Sequence, residues 1–302
     1  MKEARADAVV SPLAVAGRPS SFADFLSLTK PRLNLLVVAT SAAGYYLGAV
    51  ARPDLIAMGE TVIGTAMVAG GAAALNQVYE RDTDALMRRT RMRPLPDGRL
   101  STGEATLFGI ALAGAGLAVL AACANLLATI LALATLLTYI LWYTPLKRRS
   151  PAATLVGAVP GALPPLIGWA ASRGDLSVGG LALFAIVFLW QIPHFMAIAW
   201  LYREDYGRAG FPMLPVIDPD GARAGLQAVI YAVLLLLASV IPTLVGLSGL
   251  PYLMFAIVSG AVLVWLSIRF AATRSESSAR ALFLGSITYL PLLWIAMILA
   301  KL

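Results

Sequence analysis

A chain of 302 residues in which 59% are hydrophobic and 13% charged, with a formal net charge of +7, is not a soluble domain, where about a quarter of residues carry charge. A mean hydropathy of +0.80 also excludes a disordered chain. The single cysteine, Cys123, leaves no internal disulfide and no cysteine-rich metal centre.

Residues 1–29 read as a polar cytoplasmic tail; Arg5 and Arg18 flank no sustained apolar run, so a cleaved signal peptide is not expected. A membrane-crossing helix needs about 20 mostly apolar residues. Nine runs come close to that length, near 33–50, 55–78, 106–122, 126–143, 154–171, 179–201, 226–247, 252–270 and 282–300. The expectation is an all-α polytopic membrane protein with one domain over residues 30–302. Of the 23 Lys and Arg, 20 lie ahead of the first span or at the ends of and after spans two, four, six and eight; Arg52, Arg173 and Lys301 fall on the other face. Positive charge gathers on the cytoplasmic side, which puts the N-terminus and those four loops inside. The expected location is the bacterial cytoplasmic membrane, or the mitochondrial inner membrane in a eukaryote. Cations divided among membrane-bounded loops argue against nucleic-acid binding, and the lipid bilayer is the first partner.

The second span ends in Asn76-Gln77-Val78-Tyr79-Glu80-Arg81-Asp82-Thr83-Asp84. Asn76, Glu80 and Asp84 are four residues apart and share one helix face; Asp82 points elsewhere. Oxygen-bearing side chains next to lipid call for a cation, and Mg²⁺ suits them, because it shares its oxygen ligands with substrate phosphates. The alternative is a solvated helix end whose acids pair with Arg81, Arg88 and Arg89. The run Arg88-Arg89-Thr90-Arg91-Met92-Arg93 and, after span four, Lys147-Arg148-Arg149 also have two readings: topology alone, or cations that grip a diphosphate.

In span five, Gly157, Gly161, Pro164, Pro165 and Gly168 suggest close helix approach and a broken helix lining a cavity. In span six, Gln191, His194, Ile198, Leu201 and Asp205 share a face if the helix runs on, and Pro193 is expected to kink it. His194, the one histidine of the chain, reads as a hydrogen-bonded packing residue, a ligand for a metal or porphyrin iron, or a base. Asp205 either neutralises Arg203 or Arg208 or forms the opposite jaw of a Mg²⁺-diphosphate site. Asp218 and Asp220 read as turn residues.

Several stretches together resemble the UbiA superfamily of intramembrane prenyltransferases, and within it the farnesyltransferases that act on protoheme IX. They are Leu28-Thr29-Lys30-Pro31, residues 76–94, Tyr143-Thr144-Pro145-Leu146-Lys147-Arg148 and Gly161-Ala162-Leu163-Pro164-Pro165-Leu166-Ile167-Gly168-Trp169. The most discriminating is Trp190-Gln191-Ile192-Pro193-His194-Phe195, followed by Asp205-Tyr206 and Met213-Leu214-Pro215. The resemblance covers about residues 25–300. It implies a nine-helix bundle around a central cavity and a Mg²⁺-dependent enzyme. That enzyme would transfer the farnesyl group of farnesyl diphosphate to a vinyl group of protoheme IX, with addition of water, giving heme O and diphosphate. The superfamily motif Asn-x3-Asp-x3-Asp falls on Asn76, Glu80 and Asp84, with Glu80 where the pattern has aspartate. These three are the implied catalytic and metal residues.

The second acidic motif has no clear counterpart, since the region offers only His194, Glu204 and Asp205; Asp205 is its implied metal ligand. Arg81, Arg88, Lys147 and Arg148 are the implied diphosphate-binding residues, and His194 the heme-binding one. Downstream heme-modifying or oxidase-assembly proteins are further implied partners. A sister prenyltransferase with an aromatic acceptor and a non-catalytic transporter or assembly protein are the alternatives. All of this requires spans two and six to end on the same side, close together.

Overall fold

The computed structural model describes residues 21–302, so the first 20 residues of the expected tail, with Arg5 and Arg18, lie outside the described residues. The rest of that tail is folded. Helix α1 (Phe22–Leu28) starts at Ser21, whose hydroxyl accepts from the Asp24 N–H while the Asp24 carboxylate accepts from the Ser21 N–H. Its last residue, Leu28, is buried among Ala74, Leu95 and Leu100.

Helix α2 (Pro31–Gly48) follows, then α3 (Leu55–Leu86). The Asp54 carboxylate caps α3 by accepting from the Ile56 and Ala57 N–H groups. Its 32 residues span about 48 Å at about 1.5 Å each, more than the hydrocarbon thickness of about 30 Å. Its last turns therefore leave the apolar layer. Next come α4 (Thr102–Cys123) and α5 (Leu126–Leu137), which passes through a π-helical turn (Thr138–Tyr143) into α6 (Thr144–Leu146). The remaining elements are α7 (Ala153–Arg173), α8 (Val178–Leu201), α9 (Arg203–Arg208), α10 (Leu214–Ile217), α11 (Ala222–Ala238), α12 (Ile241–Leu244), α13 (Leu250–Thr273) and α14 (Glu276–Leu299).

Among the described residues, eight stretches are long and apolar enough to cross a membrane, and the protein is an integral, multi-pass one. The place of the first expected span is taken by α2. It is shorter, at 18 residues, and it buries Thr40 and Ser41; it is not one of the eight. Large apolar side chains such as Leu107, Ile110, Ile130, Val258 and Trp265 point outward, as a lipid-facing surface requires.

Packing overrides three local expectations. Helix α7 is unbroken despite Pro160, Pro164 and Pro165, which remove backbone donors. It is held along its length by α2: a Cβ on Gly168 would lie 2.0 Å from the Ser41 carbonyl oxygen, and one on Gly44 2.0 Å from that of Pro165. Helix α8 also continues through Pro193, but it stops at Leu201. Asp205 sits on the separate α9, so the expected continuous face from Gln191 to Asp205 does not form. The seventh crossing is interrupted between α11 and α12.

Each helix is packed against its neighbours in turn: α3 on α4 and α2, α2 on α7, α7 on α5 and α8, α8 on α11 and α14, with α13 between α11 and α14. Beyond α3, Met87 is buried with Tyr206, Ala209 and Phe211 from beyond α8. The second and sixth expected spans thus end on one side, with their loops in contact.

Candidate active site

Asn76, Glu80 and Asp84 line one face of the last turns of α3 and are buried, none more than 2% exposed. Each meets a cation or hydroxyl from another part of the chain. The Lys30 ammonium donates to Asn76 Oδ1 at 3.0 Å. Asn76 Nδ2 donates to Thr144 Oγ1 at 3.1 Å, and that hydroxyl passes its own proton to the Tyr139 carbonyl at 2.8 Å. The Lys147 ammonium reaches both Glu80 oxygens, at 3.0 and 3.1 Å. Arg93 donates to Asp84 Oδ2 at 2.7 Å. The loop that brings Arg93 back is tied down by Thr90, whose hydroxyl donates to the Asp84 carbonyl at 2.8 Å.

Local backbone places these cations. Lys30 takes a left-handed conformation (φ 49°) at the corner between α1 and α2, just before Pro31 opens the helix. Burial first, and the Arg93 charge second, lower the Lys30 pKa to about 7; an anion bound beside it would raise it again. Lys147 follows the π-helical turn, a feature frequent at functional sites. Its ammonium lies 4.6 Å from the Phe211 ring centre and 6.0 Å from that of Tyr143.

The other expected residues are placed differently. Arg81 turns outward to pair with Asp82 at 2.9 Å, and Arg148 lies over the Tyr79 ring at an exposed position. Neither bonds to Glu80 or Asp84. Arg88 lines a separate 180 Å³ pocket with Tyr202, Arg203, Asp205 and Arg208, and Arg89 lies over Tyr202. Of the acids at the end of α3, Asp82 pairs with Arg81 as the solvated alternative expects, whereas Glu80 and Asp84 pair with Lys147 and Arg93 rather than Arg88 or Arg89, and Asp205 pairs with Arg208. Among the described residues no three acidic, histidine or cysteine side chains converge on one ion, so Asp205 does not close on Glu80 and Asp84 as an opposite jaw. Asp218 is a turn residue as expected, accepting from the Arg223 N–H. His194 lies on α8 against α14, bonded to Ser286.

Reasoning from the sequence missed Lys30 as a site residue and named Arg93 only as one of a basic run, without singling it out, although both lie within the stretches that carried the resemblance. Their role rests on contacts that spacing along one helix does not reveal.

The donor set suits a magnesium ion. Two carboxylates and an amide oxygen are hard oxygen ligands, with places left for phosphate oxygens. Asp84 Oδ1 is buried with no hydrogen-bond partner, which is costly unless something cationic meets it.

The model of the UbiA prenyltransferase family matches residues 37–296. The chain belongs to this family. UbiA relatives include a protoheme IX farnesyltransferase of Solibacter usitatus, 45% identical over 92% of this chain and 98% of that protein. One of the same description from Opitutus terrae is 46% identical over 94% of this chain and 96% of that protein. Among solved structures, one described as a digeranylgeranylglyceryl phosphate synthase superposes with a TM-score of 0.78 at 18% identity, covering 92% of this chain and 97% of the other. A UbiA homologue from Archaeoglobus fulgidus, solved with GPP and Mg²⁺, superposes with a TM-score of 0.63 at 18% identity, covering 92% and 100%. At that identity the likeness is one of fold.

Proposed function

We propose that this UbiA chain transfers the farnesyl group of farnesyl diphosphate to a vinyl group of protoheme IX, with addition of water, giving heme O and diphosphate. The observation that carries the reading is the buried row Asn76, Glu80 and Asp84, each met by a cation from a different segment. A site with this much paired charge at the edge of the apolar layer suits an anionic leaving group. The acceptor is taken from relatives that are over 40% identical across nearly the whole chain.

In this reading Asn76, Glu80 and Asp84 hold Mg²⁺, which when bound supplies a Lewis acid for the charge growing on diphosphate. Lys30, Arg93 and Lys147 hold the diphosphate oxygens and stabilise them as the allylic C–O bond breaks. The vinyl group attacks farnesyl C1, and water adds to the resulting porphyrin-stabilised cation and loses a proton. Arg81 and Arg148 have no part in this. The N-terminus and the acidic rim face the cytoplasm.

Purified protein in nanodiscs, given Mg²⁺, farnesyl diphosphate and protoheme, is expected to release diphosphate and form heme O, read by mass spectrometry. Prenylation of 4-hydroxybenzoate in place of heme would move the chain to the aromatic-acceptor branch. No diphosphate release with either acceptor would overturn the reading.

A further inference from the structure

The Gln191 amide is satisfied at one end only. Its Nε2 donates to the Ala158 carbonyl of α7 at 3.0 Å and to the Val187 carbonyl of its own helix at 3.2 Å. The amide cannot turn over without setting its oxygen against both carbonyls. Oε1 accepts no hydrogen bond among the described residues, although Gln191 is only 6% exposed, and it is not one of the sealed polar atoms. It faces Gly161, where a Cβ would collide with it. Gly161 itself is exposed, between Pro160 and Ala162, which are both buried. Further along that face of α7, α2 closes on Pro165 and Gly168. An opening therefore lies against Gly161, short of the α2 seam. One turn the other way, the Tyr143 ring covers Gly157, and the Lys147 ammonium is 6.0 Å from that ring's centre. The free amide oxygen thus borders the candidate active site from one helical turn deeper.

Gly161 brings a second acceptor. The residues three and four ahead of it are Pro164 and Pro165, so its carbonyl has neither of the N–H partners that a helix ordinarily supplies. Two oxygens short of donors inside an apolar bundle are costly unless a donor comes to them, and a water is the donor that such places hold. We propose that Gln191 Oε1 and the Gly161 carbonyl seat the water that adds to the porphyrin-stabilised cation. This rests on the reaction proposed above. A water whose two hydrogens go to fixed acceptors keeps its lone pairs for the carbon. Held singly, it leaves the rest of the cavity dry while the farnesyl cation exists. One lone pair forms the C–O bond, and the proton released goes to the diphosphate set free in the same turnover. Without the seated water, the cation instead loses a proton from the neighbouring carbon to that diphosphate. The product is then an alkene, lighter than heme O by one water.

The test uses the full chain in nanodiscs with Mg²⁺, farnesyl diphosphate and protoheme, and reads the ratio of the two products by mass spectrometry. The unmodified chain is expected to give heme O almost alone. Gln191→Met keeps the length of the side chain but not the acceptor, and should shift the ratio toward the alkene by at least about tenfold, whatever the overall rate. Gln191→Glu keeps an oxygen in place and should hold the ratio near that of the unmodified chain. Should Gln191→Met fail to fold, Gly161→Ala, which drives a methyl group into the amide oxygen, is expected to shift the ratio the same way. A glutamine that only ties α7 to α8 would change stability or rate and leave the ratio alone. An unchanged ratio in Gln191→Met and Gly161→Ala, or an equal shift in Gln191→Glu, would overturn the water seat while heme O formation by the unmodified chain stands. An unmodified chain that makes neither product would overturn the reading beneath it.

Discussion

Glu80 is 2% exposed and meets Lys147 through both carboxylate oxygens, so removing one partner strands the charge of the other. Lys147→Met is expected to destabilise the protein by about 3–5 kcal/mol, the usual cost of an unpaired buried charge. Glu80→Gln should cost less, because the partly exposed Lys147 can turn its ammonium to water. Its turnover should nonetheless fall by about 10²–10³-fold, as when one stabiliser of developing charge is lost. The double variant should regain stability but not turnover. Thermal unfolding in detergent and a heme O assay separate the two effects, and normal turnover in the double variant would take Glu80 out of the ion site. The row Asn76, Glu80 and Asp84 was legible in the sequence because a period of four survives folding as one helix face. Its counter-charges were only partly legible. Lys30 and Asn76 are 46 residues apart, and Lys147 and Glu80 are 67; nothing in the spacing selects Lys147 over Arg148.

At the scale of elements, the seam between α2 and α7 is backbone against backbone. Gly168→Ala would drive a methyl group to within 2.0 Å of the Ser41 carbonyl, so the helices must part. The expected loss is about 1–3 kcal/mol, the range for overpacking, read as a lower unfolding midpoint. Gly114 of α4, with open space around its Cβ position, is the control: Gly114→Ala should be neutral or gain up to about 1 kcal/mol from helix propensity. Equal effects at the two positions would mean that the close approach does not matter. Most crossings could be read from the chain because each needs a long apolar run. The continuity of α7 could not. Pro164 and Pro165 are breakers by their own chemistry, and only the α2 backbone lying against them explains an unbroken helix. The same limit applies to Asp205, whose expected helical phase depended on α8 continuing past Leu201.

For the whole molecule, orientation is tested by labelling from one side. With Cys123 replaced by alanine, Arg52→Cys is expected to react with an impermeant maleimide in intact cells, and Asp220→Cys only after permeabilisation. Both positions are exposed. The reverse pattern would turn the protein over and put the acidic rim outside. The cation census argues for the first outcome, and the meeting of Met87 with Tyr206 and Phe211 requires both loops to share whichever compartment is found. The winding ahead of Lys147 carries a cost of its own. Winding the same six residues, Thr138–Tyr143, as ordinary α-helix would rotate the residues beyond them by about 100°. The hydropathy of the crossing is the same for either winding, yet in the α form the anion seat would be one cation short.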